Sequence, residues 1–240
     1  MSSGPSRRVG EIDLDALGVE PGGRVVDVGC GSGPIAEQLA RAGIHVTGVE
    51  PAAYLRARFS ERVIALDPGS AVVDGVADQL PFGDGEVEHV VMTEVLEHVP
   101  DPHGALTELH RVLAAGGTLC LSVPTSYTEL LFWRLHPRYA DNATHERIFT
   151  KPELQRLLAR TGFEIDRWEG RNFRPAVSWL LHATLRSDAD HTGAISEHLF
   201  VDRGLELAWR AFAALGVLHL VESVGNRVWP KSWYVYCHAR

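Results

Sequence analysis

Two clusters of residues in this chain have the types and spacing that chemistry needs. The first is Val25-Val-Asp-Val-Gly-Cys-Gly-Ser-Gly33, an apolar run that breaks into a glycine loop. Gly29 and Gly31 let backbone approach a ligand with no Cβ in the way. Asp27 places a carboxylate beside that loop, which suits a cationic ligand. Glu50 closes the next apolar run, His45-Val-Thr-Gly-Val49, and a carboxylate there can accept both hydroxyls of a ribose. The loop lacks the Lys-Ser/Thr ending of a phosphate cradle, and its Gly-x-Gly-x-Gly spacing departs from the dinucleotide fingerprint. An adenosine with a positive or zwitterionic tail fits these pieces.

The second cluster lies in Met92-Thr-Glu-Val-Leu-Glu-His-Val-Pro-Asp-Pro102. Glu94, Glu97 and His98 stand at i, i+3, i+4, so on a helical turn they share a face. Two carboxylates and an imidazole can act as general bases or ligate a divalent cation such as Mg2+. His145 could complete the set. A purely structural role, as helix-start and packing groups, is the competing reading. His98, His145 and Glu97 are the candidate catalytic residues, and Glu94, Glu97, His98 and His145 the candidate metal ligands.

The elements that must position these residues alternate along the front half. Runs at 24–28, 45–49, 71–74, 87–92 and 118–123 read as strands, with helical patterns from Pro34 to about Ala42, 52–66 and 104–113 between them. Single helices between strands imply right-handed crossovers and a mostly parallel, doubly wound sheet. A loop with a helical piece near 129–135, a helix at 151–160 and strands at 163–168 and 232–239 complete it. The expected fold is therefore α/β: a Rossmann-like seven-stranded, mostly parallel sheet with an antiparallel last strand and a helical insertion near the C-terminus. The organisation reads as an N-terminal arm (1–20), a cofactor domain (21–171 and 231–240) and the insertion (172–230). Residues 186–196 read as a surface loop.

With the loop and strands in place, the first cluster resembles the opening motif of class I S-adenosylmethionine-dependent methyltransferases. That resemblance implies cofactor contacts from Gly29, Cys30, Gly31, Glu50 and Pro51, with Asp27 nearby. Ala77-Asp-Gln-Leu-Pro-Phe82 is similar to the segment that cups adenine in these enzymes, implicating Ala77 and Asp78. Many relatives carry Asp where this chain has Val76. Thr93 takes the place that faces the cofactor. The 92–102 stretch, with Thr144-His-Glu-Arg-Ile-Phe-Thr-Lys-Pro-Glu-Leu154, resembles the ubiquinone-biosynthesis branch, the polyprenyl-dihydroxybenzoate and demethylubiquinone O-methyltransferases, some of which depend on a divalent metal. The likeness covers about residues 22–170 and the final strand, not the insertion.

Composition narrows the classes. The charge of −8 and the lack of an Asn/Asp-Pro-Pro motif after the fourth strand argue against a nucleic-acid methyltransferase. Three scattered cysteines exclude a disulfide scaffold and point to a cytoplasmic home. No stretch offers a membrane span, and only two lysines exist to draw the chain to a lipid surface, leaving peripheral contact through an apolar helix open. All six Trp lie after residue 130. The insertion's apolar helices, carrying Trp179, Trp209 and Phe212, read either as extra core or as a cap for an apolar or sugar-containing acceptor. The expected activity is S-adenosylmethionine-dependent methylation of a small-molecule hydroxyl, on a quinone or phenol precursor, a saccharide, or a glycosylated or lipid-linked metabolite. N- or C-methylation and a non-catalytic cofactor-binding protein are the alternatives.

Overall fold

A computed structural model describes residues 7–135, 146–185 and 199–240. The segment ahead of the first long strand has its own structure: a hairpin of β1 (Arg8–Val9) and β2 (Ile12–Asp13), then α1 (Leu14–Leu17). Ile12, Leu14, Leu17 and Val19 are buried in the same core as Val25, Leu39, Val46, Phe59 and Tyr236. One fully buried carboxylate ties it down. Asp13 caps α1 by accepting from the amides of Asp15 and Ala16, and ion-pairs with Arg8 at 3.0 Å and Arg167 at 2.8 Å. Its own amide is hydrogen-bonded to the Tyr236 hydroxyl at 2.8 Å. Asp13→Ala removes a cap and leaves two guanidinium groups without their shared anion. We expect it to cost about 3 kcal/mol, seen as a drop of roughly 6–12 °C in thermal unfolding. Asp13→Asn, which keeps the cap, should lose clearly less.

The main sheet has seven strands: β3 (Arg24–Val28), β4 (His45–Val49), β5 (Ala71–Val73), β6 (Val87–Thr93), β7 (Leu113–Pro124), β8 (Phe163–Arg171) and β9 (Ser232–Ala239), in the order β5-β4-β3-β6-β7-β9-β8. The β3–β4, β3–β6, β4–β5 and β6–β7 pairings are parallel, and one strand of the sheet is antiparallel. The expected Rossmann-like fold is therefore the observed one. Strand β7 starts five residues ahead of the expected 118, because Leu113 pairs with Val87 and a bulge absorbs the Gly116-Gly117 break.

Helix α2 (Pro34–Arg41) starts at proline and buries Ala36 and Leu39. The pattern at 52–66 divides into α3 (Ala53–Phe59) and a π-turn at Ser60–Ile64. There the Ser60 hydroxyl donates to the Arg56 carbonyl, a local bond that competes with α-helical pairing. Helix α4 (Pro102–Val112) is capped by Asp101. Helix α5 (Ser126–Leu135) follows β7, and α6 (Lys151–Arg160) opens with a Thr150/Glu153 capping box.

By contacts the chain divides into two compact units: residues 1–123, 149–168 and 234–240, and residues 124–148 and 169–233. The second contains α5, α7 (Phe173–Leu185), α8 (Leu199–Ala214) and α9 (Leu218–Val228). Trp209 is buried there among aromatics, 6.3 Å from Phe173 and 5.8 Å from Phe212 by ring centroids, with Arg174 over its face. The Phe173 ring packs against Gly225, where an added Cβ would lie within 2.5 Å of three ring atoms. These rings form the core of their own unit; the side chain of Trp179 and the expected loop at 186–196 lie outside the described residues. The uncharged run from Ala211 to Val221 is not one helix: it breaks at Gly216, φ +70°, and α8 and α9 diverge by 117°. Among the described residues no single helix is long and apolar enough to cross a membrane.

Candidate active site

The carboxyl ends of β3 and β4 build the first part of the site. The amides of Gly29 and Cys30 both donate to the Val49 carbonyl, at 2.9 and 3.2 Å, so the glycine loop is laced to the end of β4. Glu50, 7% exposed, then accepts from the Gly31 amide at 3.1 Å and the Ala52 amide at 2.9 Å. One bond per oxygen fixes the carboxylate and leaves each a lone pair for a ligand hydroxyl. Arg56 of α3 holds the turn from behind, donating to the carbonyls of Glu50 and Pro51 and to Asp74. Gly48 leaves room for the Cys30 side chain, whose Sγ would lie 2.5 Å from an added Cβ. Burial, followed by the charges of Asp27 and Glu50, pushes the Cys30 thiol well up.

The two loop glycines differ in what surrounds them. A Cβ on Gly29 (φ +71°) would meet the Val95 methyls at 2.5 Å; one on Gly31 (φ +54°) would meet nothing within 4 Å. Glu50 holds the amide of the same residue, Gly31. Asp27 is 2% exposed, and its carboxyl accepts no hydrogen bond among the described residues. Burial, reinforced by the Glu50 charge, raises its pKa to about 7. A buried acid lacking a protein partner beside a cradle without a side chain fits a ligand with a cationic group near an adenosine. Gly31 and Glu50 are joined directly by the 3.1 Å bond, and the Glu50 charge acts on Asp27.

Ala77 is half-buried and Asp78 exposed, in a turn closed by a bridge between Val76 and Gln79. Two residues of α4 hold this loop: Glu108 accepts from the Leu80 amide at 2.8 Å, and Arg111 donates to the Phe82 carbonyl and to Asp84. The sequence reading missed both, although an i, i+3 acid–base pair at the end of a helix was the available signal.

At the end of β6 the expected arrangement is corrected. Glu94, Glu97 and His98 do not share a helical face. Glu94 has φ +54°, a left-handed turn that ends the strand, and only Leu96–His98 forms a single 3-10 turn. Glu94 bonds to Ser122 of β7, whereas Glu97 is buried at 1% exposure, with His98 Nε2 4.0 Å from its Oε1. Thr93 sits half-buried at the strand end, paired in register with Ser122. His145 lies outside the described residues. Among the described residues no three His, Cys, Asp or Glu converge as metal ligands, so the part of the expected cation site that can be placed does not fit one.

A family profile described as a methyltransferase domain matches residues 11–167, which include every part of the site placed above. The chain belongs to the methyltransferase-domain family. It is a S-adenosylmethionine-dependent methyltransferase. It is 31% identical over 183 residues to a ubiquinone biosynthesis O-methyltransferase of Pseudomonas aeruginosa, covering 70% of this chain and 75% of that one. With its namesake from Roseobacter denitrificans the figures are 32% over 185 residues, 71% and 72%. The fold also matches the crystal structure of the [4+2]-cyclase SpnF, at TM-score 0.60 and 22% identity over 94% of this chain and 78% of that one. That likeness concerns the fold alone.

Proposed function

We propose that this methyltransferase methylates a hydroxyl of a small molecule, with quinone or phenol precursors as the leading acceptor class and saccharides or lipid-linked metabolites as the next. The observation that supports oxygen as the target is the carboxylate of Glu94, half-buried at the end of β6 beside the glycine loop, together with the curated relatives named as O-methyltransferases. When bound, S-adenosylmethionine supplies an already activated methyl group on a sulfonium sulfur. The chain then has three tasks. Asp27 balances positive charge, and Glu50 fixes the ribose end through its two hydroxyls. The glycine loop and Pro51 set the depth at which the cofactor lies, with Ala77, Asp78 and Thr93 along its length. The acceptor oxygen must lie in line with the bond to be broken, an alignment worth about 7–11 kcal/mol in favourable cases. It must also shed a proton, for which Glu97, His98 and His145 stand in the 92–102 and 144–154 segments alongside Glu94.

The test is a product screen. Protein and S-adenosylmethionine are incubated with cell extract, and small molecules that gain one methyl mass are isolated and their methyl position assigned by NMR. We expect the methyl on oxygen. A methyl on nitrogen or carbon favours the alternative chemistry, and no cofactor binding at micromolar concentrations by calorimetry overturns the reading altogether. Because Glu94, Glu97 and His98 do not converge as ligands, turnover is expected to survive treatment with EDTA; a loss restored by Mg2+ would return the metal reading.

A further inference from the structure

Helix α9 is folded with its polar side inward. Glu222, Gly225 and Asn226 are buried or half-buried and hold it to α7. Glu222 pairs with Arg174 at 3.4 Å, and Asn226 Oδ1 accepts from the Phe173 amide at 2.9 Å. The outer side is apolar. Leu220, Val224 and Val228 stand at four-residue steps, which places them on one face, and they are 63%, 53% and 73% exposed. Helix α8 repeats the arrangement: Trp209 and Phe212 turn inward, while Leu207, Ala211 and Ala214 share an exposed face. Between the two helices every residue from Ala213 to Val217 is exposed. A pair of helices that spends its polar groups within its own unit and keeps its leucines and valines outside is built to meet an apolar surrounding.

Charge says which surrounding. The chain has 31 acidic residues against 23 basic. On the outer faces of α8 and α9 that balance reverses: Arg203, Arg210 and Arg227 are exposed there, and Glu206, paired with Arg210 at 3.0 Å, is the acid among the described side chains. Arg203 and Arg227 have no acidic partner among the described residues. A second copy of the chain is the poorer occupant. Leu207, Leu215, Val217, Leu220, Val224 and Val228 expose on the order of 600 Å², a large patch for a monomer. A standard interface takes roughly 800 Å² from each partner, and a two-fold contact would set these arginines against their own copies. An anionic bilayer accepts both sets, the apolar side chains at its acyl boundary and the arginines at its headgroups. The bend suits a surface rather than a crossing. Arg203–Ala214 and Leu218–Val228 together have the length and composition of a spanning segment, but they diverge by 117°.

We propose that α8 and α9 form a docking element for an anionic lipid surface, with Leu215, Leu220, Val224 and Val228 entering the bilayer interface and Arg203 and Arg227 meeting the headgroups. The inference stands apart from the identity of the acceptor.

The test is flotation of the full chain with vesicles of phosphatidylcholine, alone or with added phosphatidylglycerol. Wild type should float with the anionic vesicles and bind the neutral ones at least about tenfold less. Arg203→Gln and Arg227→Gln should each weaken binding about fivefold. Leu220→Glu combined with Val228→Glu should lose at least about tenfold. Its melting temperature and its affinity for S-adenosylmethionine should stay those of wild type, because both positions are exposed. A second measurement does not depend on that variant. The three native cysteines are buried, so Leu215→Cys takes a polarity-sensitive fluorophore at one place, and its emission should move to shorter wavelength with anionic vesicles. Absence of flotation, flotation unchanged in the double variant, or an unshifted label overturns the proposal. So does a vesicle-free dimer in sedimentation velocity that the double variant dissociates, since a second copy would then cover this face.

Discussion

Asp27→Asn is expected to make the cofactor-free protein more stable while lowering its affinity for S-adenosylmethionine about 100-fold. The two effects share one cause. With a pKa of about 7 against an ordinary 3.8, ionised Asp27 is disfavoured in the folded chain by about 4 kcal/mol above neutrality. Asparagine has the same shape and no charge, but its amide would still be buried without a partner, at about 1–3 kcal/mol. A net gain of about 2 kcal/mol at pH 8 remains, or roughly 4–8 °C in melting temperature. The same neutral side chain offers a cationic ligand much less, so binding falls as stability rises. Melting curves and calorimetry on one pair of proteins measure both.

The sign of the pH dependence separates this account from simple repacking. The folded-state pKa of Asp27 is raised above its unfolded value. Its stabilising contribution is therefore fully present below about pH 4 and is lost as pH rises through about 7. Cofactor affinity should run the other way, gaining up to about tenfold per unit as pH rises from 5 towards 7, because the ionised form is the one that binds a cation. Asp27→Asn should flatten this component in both curves. If wild type and variant show the same stability profile between pH 5 and 8, Asp27 is not the strained acid described here.

The parts of this site that could be read along the chain are those written in consecutive residues. Strands at 24–28, bounded by Gly23 and Gly29, and at 45–49, closed by Glu50, are short apolar runs, and both occur at the expected positions. Asp27 and Glu50 follow from strand ends, which local pattern marks well. What could not be read depends on partners remote in sequence. The spacing of Glu94 to Glu97 and His98 permits a shared helical face. The left-handed turn of Glu94 is imposed by Ser122, 28 residues on and in another strand. Asp13 likewise looks like one more surface acid until Arg167 and Tyr236 are brought to it. Gly216 is a different case: a glycine inside an apolar run is compatible with a continuous helix or a break, and packing within the second unit decides. Periodicity says which residues can share a face, and only the tertiary hydrogen bonds say whether they do.

Gly29 and Gly31 make the second large prediction, because one chemical change at each should fail in opposite ways. Both have positive φ, so any side chain carries about 1 kcal/mol of backbone cost at either place. At Gly31 nothing else stands in the way, since the added Cβ points into open space. Gly31→Val should therefore fold with a melting temperature only about 2–4 °C lower, yet lose at least about 100-fold in cofactor affinity because the branched side chain occupies the cradle. At Gly29 the added Cβ meets the Val95 methyls at 2.5 and 2.9 Å, so Gly29→Ala must displace Val95 and the Glu94 turn with it. We expect a loss of about 3 kcal/mol in stability and, in the molecules that remain folded, a larger fall in kcat than in cofactor affinity. Trimming the obstacle should separate the two. Val95→Ala combined with Gly29→Ala should recover stability beyond the sum of the single changes, a coupling of about 1 kcal/mol or more for residues in direct contact. No such rescue should appear when Val95→Ala is combined with Gly31→Val. If both glycine variants behave alike, the loop is merely a turn, and the difference between a residue that makes room for the protein and one that makes room for the ligand is not real.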